Sequence, residues 1–113
     1  MRVLVTGAAG FIGRHVCRVL YEQGHDIVGL DLSPGGPPIP SRYTWVLEDI
    51  TKPLDPIQDL DAVIHLAALA NPRVCDADPA KAYLTNVHGT YNVLELARKS
   101  GAHKFVFSSS AHV

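Results

Sequence analysis

The feature that most limits how this chain can fold is a turn with three evenly spaced glycines, Gly7-Ala8-Ala9-Gly10-Phe11-Ile12-Gly13, set directly after the apolar run Val3-Leu4-Val5. A buried strand that passes at once into such a turn and then into a helical pattern opens a βαβ unit. Each glycine has its own reason. Gly7 allows the tight turn, Gly10 leaves bare backbone where a phosphate must approach, and Gly13 lets helix and sheet pack closely. The helix N-terminus adds unpaired N–H groups and a partial positive charge, so the turn fits the pyrophosphate of a dinucleotide. Glycines scattered through a turn without this flanking pattern would carry no such meaning.

The remainder repeats the alternation. Ile12, Val16, Val19 and Leu20 predict a helix over residues 11–23, stopped at Gly24. Ile27-Val28-Gly29-Leu30-Asp31 reads as a second strand, and residues 33–41, with four prolines and two glycines, read as a surface loop. A third strand is predicted near 44–47. Pro53 and Pro56 leave room for at most a short helix over 51–61. Ala62-Val63-Ile64-His65-Leu66 has the near-continuous apolar character of a strand buried on both faces. A loop is expected around Asn71-Pro72. Asp78-Pro79 then supplies an N-cap with proline at the first helical position, and Tyr83, Val87, Thr90, Leu94 and Ala97 follow at helical spacing up to Gly101. Lys104-Phe105-Val106-Phe107 is a fifth strand, entering Ser108-Ser109-Ser110. Strand and helix in alternation imply right-handed crossovers, an α/β class and a doubly wound parallel sheet, whose ligands bind at the carboxyl ends of the strands.

Composition narrows the function classes. The 113 residues suit one domain and are too few for a cofactor domain joined to a full substrate domain. Ten basic residues against eleven acidic ones, a net charge of −1 and no run of like charge argue against nucleic acid and against an anionic membrane as partners. No apolar stretch approaches the roughly 20 residues of a membrane span. The N-terminus, broken by Thr6 and Gly7, does not read as a signal peptide. Cys17 and Cys75 show neither CxxC nor paired-histidine spacing, so no metal site is expected. They suit free thiols in a reducing compartment, which gives a cytoplasmic expectation.

Asp31 ends the second strand about 20 residues after the glycine turn, where an acidic side chain accepts hydrogen bonds from the adenosine ribose hydroxyls. A carboxylate there repels the 2′-phosphate of NADP, which favours NAD; the alternative is an aspartate that only caps its loop. With Asp31 in place, Thr6-Gly7-x-x-Gly10-x-x-Gly13 resembles the TGxxGxxG fingerprint of the extended short-chain dehydrogenase/reductases, the NAD-dependent epimerase/dehydratase family that works on nucleotide sugars. Asp49-Ile50, His65-Leu66-Ala67-Ala68, Asn86-Val87-x-Gly89-Thr90 and the ending Ser108-Ser109-Ser110-Ala111-His112-Val113 agree in order and spacing. The resemblance covers essentially the whole chain and implies a Rossmann-like fold.

It also implies roles. Asp49 would bond the adenine amino group with Ile50 covering the ring, although a turn aspartate beside a core isoleucine reads equally well. Leu66, Ala67 and Ala68 would let the backbone run beside ribose and phosphates. Ala9, Phe11, Ile12 and Leu32 would join the cofactor contacts. His65 alone is more often a hydrogen-bonded core histidine than a catalyst. Asn86 and Gly89 are poor helix formers, Gly89 by about 1 kcal/mol against alanine, which marks close packing or a site; Asn86 is given a supporting role beside the cofactor. By the same resemblance Ser110 matches the catalytic Ser/Thr that bonds the substrate oxygen, Ser108 and Ser109 lie beside the cofactor, and Ala111 contacts substrate; His112, where the family more commonly has Thr or an acidic residue, is either a substrate contact or merely exposed. The helix near 79–100 would contribute to a homodimer.

One part of the family's chemistry is missing. Its hydride transfer uses a Tyr-x-x-x-Lys pair, with the tyrosine as base. Four residues after Tyr21, Tyr43, Tyr83 and Tyr91 stand His25, Leu47, Val87 and Glu95. The expectation is therefore the NAD-binding N-terminal portion of a nucleotide-sugar epimerase/dehydratase-like oxidoreductase, truncated after the fifth strand and without turnover of its own. Such a fragment, with strand five as an exposed edge, is expected to be marginally stable or self-associating. The competing class is a non-catalytic NAD(P)-binding sensor or scaffold.

Overall fold

The computed structural model describes residues 1–33 and 42–109. Most of the proline-glycine segment, and with it Ser110, Ala111 and His112, lies outside the described residues. Five strands, β1 (Arg2–Thr6), β2 (Asp26–Asp31), β3 (Tyr43–Leu47), β4 (Ala62–His65) and β5 (Lys104–Phe107), form one parallel sheet in the order β3-β2-β1-β4-β5. The chain builds outward from β1 to β3, then returns to lay β4 on the other side of β1. The strand order therefore reverses between β1 and β4, and a crevice opens above their carboxyl ends.

Alternation along β1 divides the core in two. Val3 and Val5 face helix α1 (Phe11–Glu22), where they meet Ala8 and Cys17 together with Ile27 and Ala62. Leu4 points the other way, joining Val28, Leu30 and Val63 against Val93, Leu96 and Ala97 of helix α4 (Gly89–Lys99). A side-chain period of two in a strand covered on both sides produces this split. The expected α/β doubly wound, Rossmann-like sheet is thus the observed one.

The helices depart from expectation in detail. Before α4 come a short helix α2 (Pro72–Ala77), a second, α3 (Pro79–Tyr83), and a π-helical turn over Leu84–His88, in which the Gly89 N–H donates to the Leu84 carbonyl five residues back. The loop expected around Asn71-Pro72 is instead the start of α2. Asn71 caps it by accepting from the Arg73 N–H at 2.9 Å, the same Asx-Pro signal that starts α3 at Asp78-Pro79. Six residues are too few to show a helical period. Residues 51–61 form turns and no helix.

Of the residues whose spacing predicted the helices, Ala97 is buried and Val16 and Leu20 pack against the core, but others face solvent. Ile12 and Val19 on α1, and Tyr83, Val87 and Leu94 on the later helix, are all exposed. On α1 the buried line runs through Gly13 and Cys17, because the helix approaches the sheet where its side chains are smallest, with Val16 and Leu20 packed beside it. On the later helix the π turn carries one extra residue, which rotates everything after it by about 100° relative to what precedes it. The inward face after the turn becomes Gly89, Val93, Leu96 and Ala97. No helix among the described residues is long and apolar enough to cross a membrane.

Candidate active site at the carboxyl edge of the sheet

The crevice is a cleft of about 350 Å³ bounded by the glycine turn, the ends of β2 and β4 and the segment after β3. Its floor is backbone. Gly7 adopts φ +70°, and its N–H bonds the Leu30 carbonyl at 2.9 Å, drawing the turn onto the end of β2. A Cβ on Gly13 would stand 2.0 Å from the Gly7 carbonyl oxygen and 2.9 Å from the Ala8 Cα, so no other residue allows α1 to start this close to the turn. Gly10 is the helix N-cap with no side-chain cap, and the first turn holds no acidic residue. The first N–H groups of α1 therefore lack a side-chain acceptor, an arrangement suited to an anionic ligand.

Acidic residues line one end. Asp31 accepts from the Ala9 N–H at 3.0 Å through one oxygen and from the Ser33 N–H at 3.2 Å through the other. It does cap its loop, but each carboxylate oxygen has a second lone pair for a ligand hydroxyl. Asp49 uses Oδ1 for the Thr51 N–H and hydroxyl, at 2.9 and 2.7 Å, and these bonds hold its carboxyl below its ordinary range. Ile50 is both core and cleft wall. Its side chain fills the space beside Gly89, where a Cβ would come within 2.6 Å of it, so the mid-helix glycine is explained by packing.

The opposite wall is the segment 66–69 after β4, where side chains hold the backbone. The Thr6 hydroxyl accepts from the Leu66 and Ala67 N–H groups at 3.0 and 3.1 Å. Asn86 grips the far end in both directions: Oδ1 accepts from the Leu69 N–H at 2.8 Å, and Nδ2 donates to the Leu69 carbonyl at 3.0 Å. His65, 2% exposed, lies between these two anchors, with Nδ1 2.6 Å from the Thr6 hydroxyl and Nε2 2.9 Å from that of Thr90. Burial pushes its pKa below the ordinary value.

Of the expected cofactor residues, Gly7, Gly10, Asp31, Leu32, Asp49, Ile50, Leu66, Ala67 and Ala68 are brought together around the cleft. Ala9 and Gly13 shape it from behind, and Asn86 acts on its wall rather than lining it. Phe11 and Ile12 are exposed at the start of α1, so only their backbone is placed to face a ligand. Ser108 and Ser109 are exposed past the end of β5, where the Ser108 N–H bonds the His65 carbonyl at 3.3 Å, and do not line the cleft. Lys81 and Thr85 also line it and were missed. They stand four apart, a spacing that shares a helix face, but nothing in sequence says which face turns to the sheet.

The profile of the NAD dependent epimerase/dehydratase family matches residues 3–113. The chain belongs to that family. A putative UDP-glucose 4-epimerase of Methanocaldococcus jannaschii is 41% identical over 114 residues, covering 96% of this chain and 37% of that protein. A 3-beta-hydroxysteroid dehydrogenase of Mycolicibacterium neoaurum is 31% identical over 119 residues, covering 99% of this chain and 32% of that one. Among solved structures, the Thermus thermophilus UDP-glucose 4-epimerase in complex with NAD superposes with a TM-score of 0.82 at 32% identity, over 97% of this chain and 38% of that one. The chain thus spans between 32% and 38% of the length of these family members.

Proposed function

We propose that the cleft binds NAD and that, in the whole protein, this segment is the cofactor half of an oxidoreductase acting on a nucleotide sugar. The observation that carries the reading is the bare, uncapped start of α1 lying at one end of a cleft whose other end presents Asp31 and Asp49. Gly7, Gly10 and Gly13 with the N–H groups of Phe11 and Ile12 would hold the pyrophosphate. Asp31, beside Leu32, would take the adenosine ribose hydroxyls, Asp49 and Ile50 the adenine, and the segment 66–68 the nearer ribose. Bound NAD would supply a hydride acceptor for a sugar carbon. Ser108 and Ser109 would lie beside it, Ser110 would bond the substrate oxygen, and Ala111 and His112 would contact substrate.

Relatives named as nucleotide-sugar epimerases support the substrate class, and the family name supports NAD over NADP. Calorimetric titration with the two cofactors tests the reading. NAD is expected to bind, and NADP more weakly because its 2′-phosphate faces the Asp31 carboxylate; no heat from either at millimolar concentration would sink it. With no Tyr-x-x-x-Lys pair, the 113-residue chain is expected to bind cofactor without turnover, so robust oxidation of a UDP- or dTDP-sugar by it would contradict the assignment. The second reading is a non-catalytic NAD(P)-binding module, since the glycine turn and Asp31 would hold a dinucleotide whether or not a reaction follows. Coding sequence beyond Val113 discriminates: a Tyr-x-x-x-Lys within a few dozen codons supports the enzyme. Exposed Tyr83, Val87, Tyr91 and Leu94 support a homodimer through the helix near 79–100, which Leu94→Glu should dissociate in sedimentation.

A further inference from the structure

The buried polar atoms around His65 fix where each proton sits. The Thr90 hydroxyl lies 2.6 Å from the Asn86 carbonyl, which can only accept, so its proton points there. Nε2 of His65 must then donate to Thr90. Independently, the Thr6 hydroxyl oxygen already accepts two amide N–H groups, so its own proton goes to Nδ1. Both ends demand the same species, a neutral imidazole protonated at Nε2. Thr6 and His65 are register partners on β1 and β4, so the pairing is built into the sheet.

Both anchors of the cleft wall meet at this ring. Thr6 holds Leu66 and Ala67. Asn86, whose side chain grips Leu69, has its carbonyl bonded by the Thr90 hydroxyl that His65 engages. We propose that His65 is a positioning residue for the cofactor cleft: the neutral ring locks both anchors of the segment 66–69, and protonating it loosens the wall and weakens dinucleotide binding. A proton on Nδ1 would aim a third donor at the Thr6 oxygen and leave the Thr6 hydroxyl proton without its acceptor, a buried mismatch with no solvent to relieve it.

Among the described residues, the contacts to the ring include no carboxylate that would pair with the cation. Thr6 approaches from β1, Thr90 from α4, and Phe105 and Phe107 from β5 at ring-centroid distances of 6.2 and 6.0 Å; none of these side chains is charged. Burial accordingly disfavours the charged form.

The proposal rests on the NAD reading for its consequence but not for its first test. Nitrogen NMR of selectively labelled, ligand-free full-length protein should show the Nε2-protonated tautomer, with the amide resonances of Leu66, Ala67 and Leu69 moving at the midpoint of the ring's titration. The other tautomer, or amides indifferent to that titration, would overturn the proposal. Calorimetry with NAD from about pH 8 to about pH 5 supplies the second test. Affinity should fall about tenfold one pH unit below the ring's midpoint if only the neutral form is competent. His65→Gln should lose that dependence, Thr6→Ser should keep it, and Thr6→Val should lose it. Equal pH slopes in the parent protein and His65→Gln would also overturn the proposal. Failure to bind NAD at every pH while the amides follow the ring would instead sink the NAD reading and leave the wall's control by His65 standing.

Discussion

The cleft is framed by two passages from strand to helix that solve one problem in opposite ways. Between β1 and α1 the chain turns in four residues, and its shape comes from side chains that are absent: Gly13 abuts the Gly7 carbonyl, and Gly10 leaves the helix end open. Between β4 and α3 the chain takes thirteen residues (66–78), six of them the short helix α2, and its shape comes from side chains that reach the segment after β4: Thr6 from β1, Asn86 from the π turn, and the Cys75 thiol of α2 on the Leu69 carbonyl at 3.3 Å. A tight turn is held by sterics and tolerates no addition. A long one is held by hydrogen bonds and tolerates no removal.

The contrast predicts opposite sensitivities. Gly13→Val should be the most damaging single change, because backbone atoms cannot move aside; a loss of about 3 kcal/mol or more in urea unfolding is expected, with NAD binding abolished. A mild effect would mean that α1 can retreat from the turn, removing the distinction. Asn86→Ala adds no bulk but strips both partners from Leu69, and should cost about 1–3 kcal/mol with weakened NAD binding. Asn86→Asp keeps the acceptor and should recover part of the loss.

Asp31 is the side-chain element on the glycine side, and Asp31→Ser tests whether it serves a ligand as well as Ala9. Losing bonds to a charged group should reduce NAD affinity about tenfold to a hundredfold and narrow the NAD/NADP preference in calorimetry. Acid should act first on the tethered side. His65 titrates below its ordinary 6.5 in the folded chain, so the unfolded state binds more protons as pH falls through 6.5, and stability declines from there toward the folded value. Asp49 acts later, since a depressed carboxyl loses its contribution only as pH drops below its ordinary 3.8. Melting temperatures of the parent protein and His65→Gln should therefore converge on acidification. Remote from both passages, the exposed Glu95–Arg98 pair at 2.9 Å sets the floor, and Glu95→Gln should leave the unfolding curve where it is.

Legibility follows the same division. The strands, their order of appearance, the glycine turn and Asp31 could be read from residue types at set spacing, since each satisfies a demand of its own backbone, whereas Asp49 was singled out through the family resemblance. The Asx-Pro start of α2 was also present in the sequence, but six residues gave no period to confirm it. The buried faces of the helices were legible only in part: Val16, Leu20 and Ala97 pack inward, but Tyr83, Val87 and Leu94 point outward, and the π turn breaks the single helical register that their spacing assumes. Lys81 and Thr85 were missed because nothing in the sequence says which face of their helix turns to the sheet. His65 read as a hydrogen-bonded core histidine, as it is, but its partners Thr6 and Thr90 could not be named from the sequence.

The sequence by itself thus determined the fold class, the family and the half of the cleft made of bare backbone. Those features depend on local sterics, which a glycine or a proline declares at its own position. Tertiary structure alone decided the other half. Thr6 and His65 are 59 residues apart in the chain and meet only through the register of β1 on β4, and Asn86 reaches Leu69 only because the π turn that carries it lies beside the segment after β4. Hydrogen bonds between distant residues have no local requirement to leave in the sequence, so they appear only once the sheet and its helices are in place.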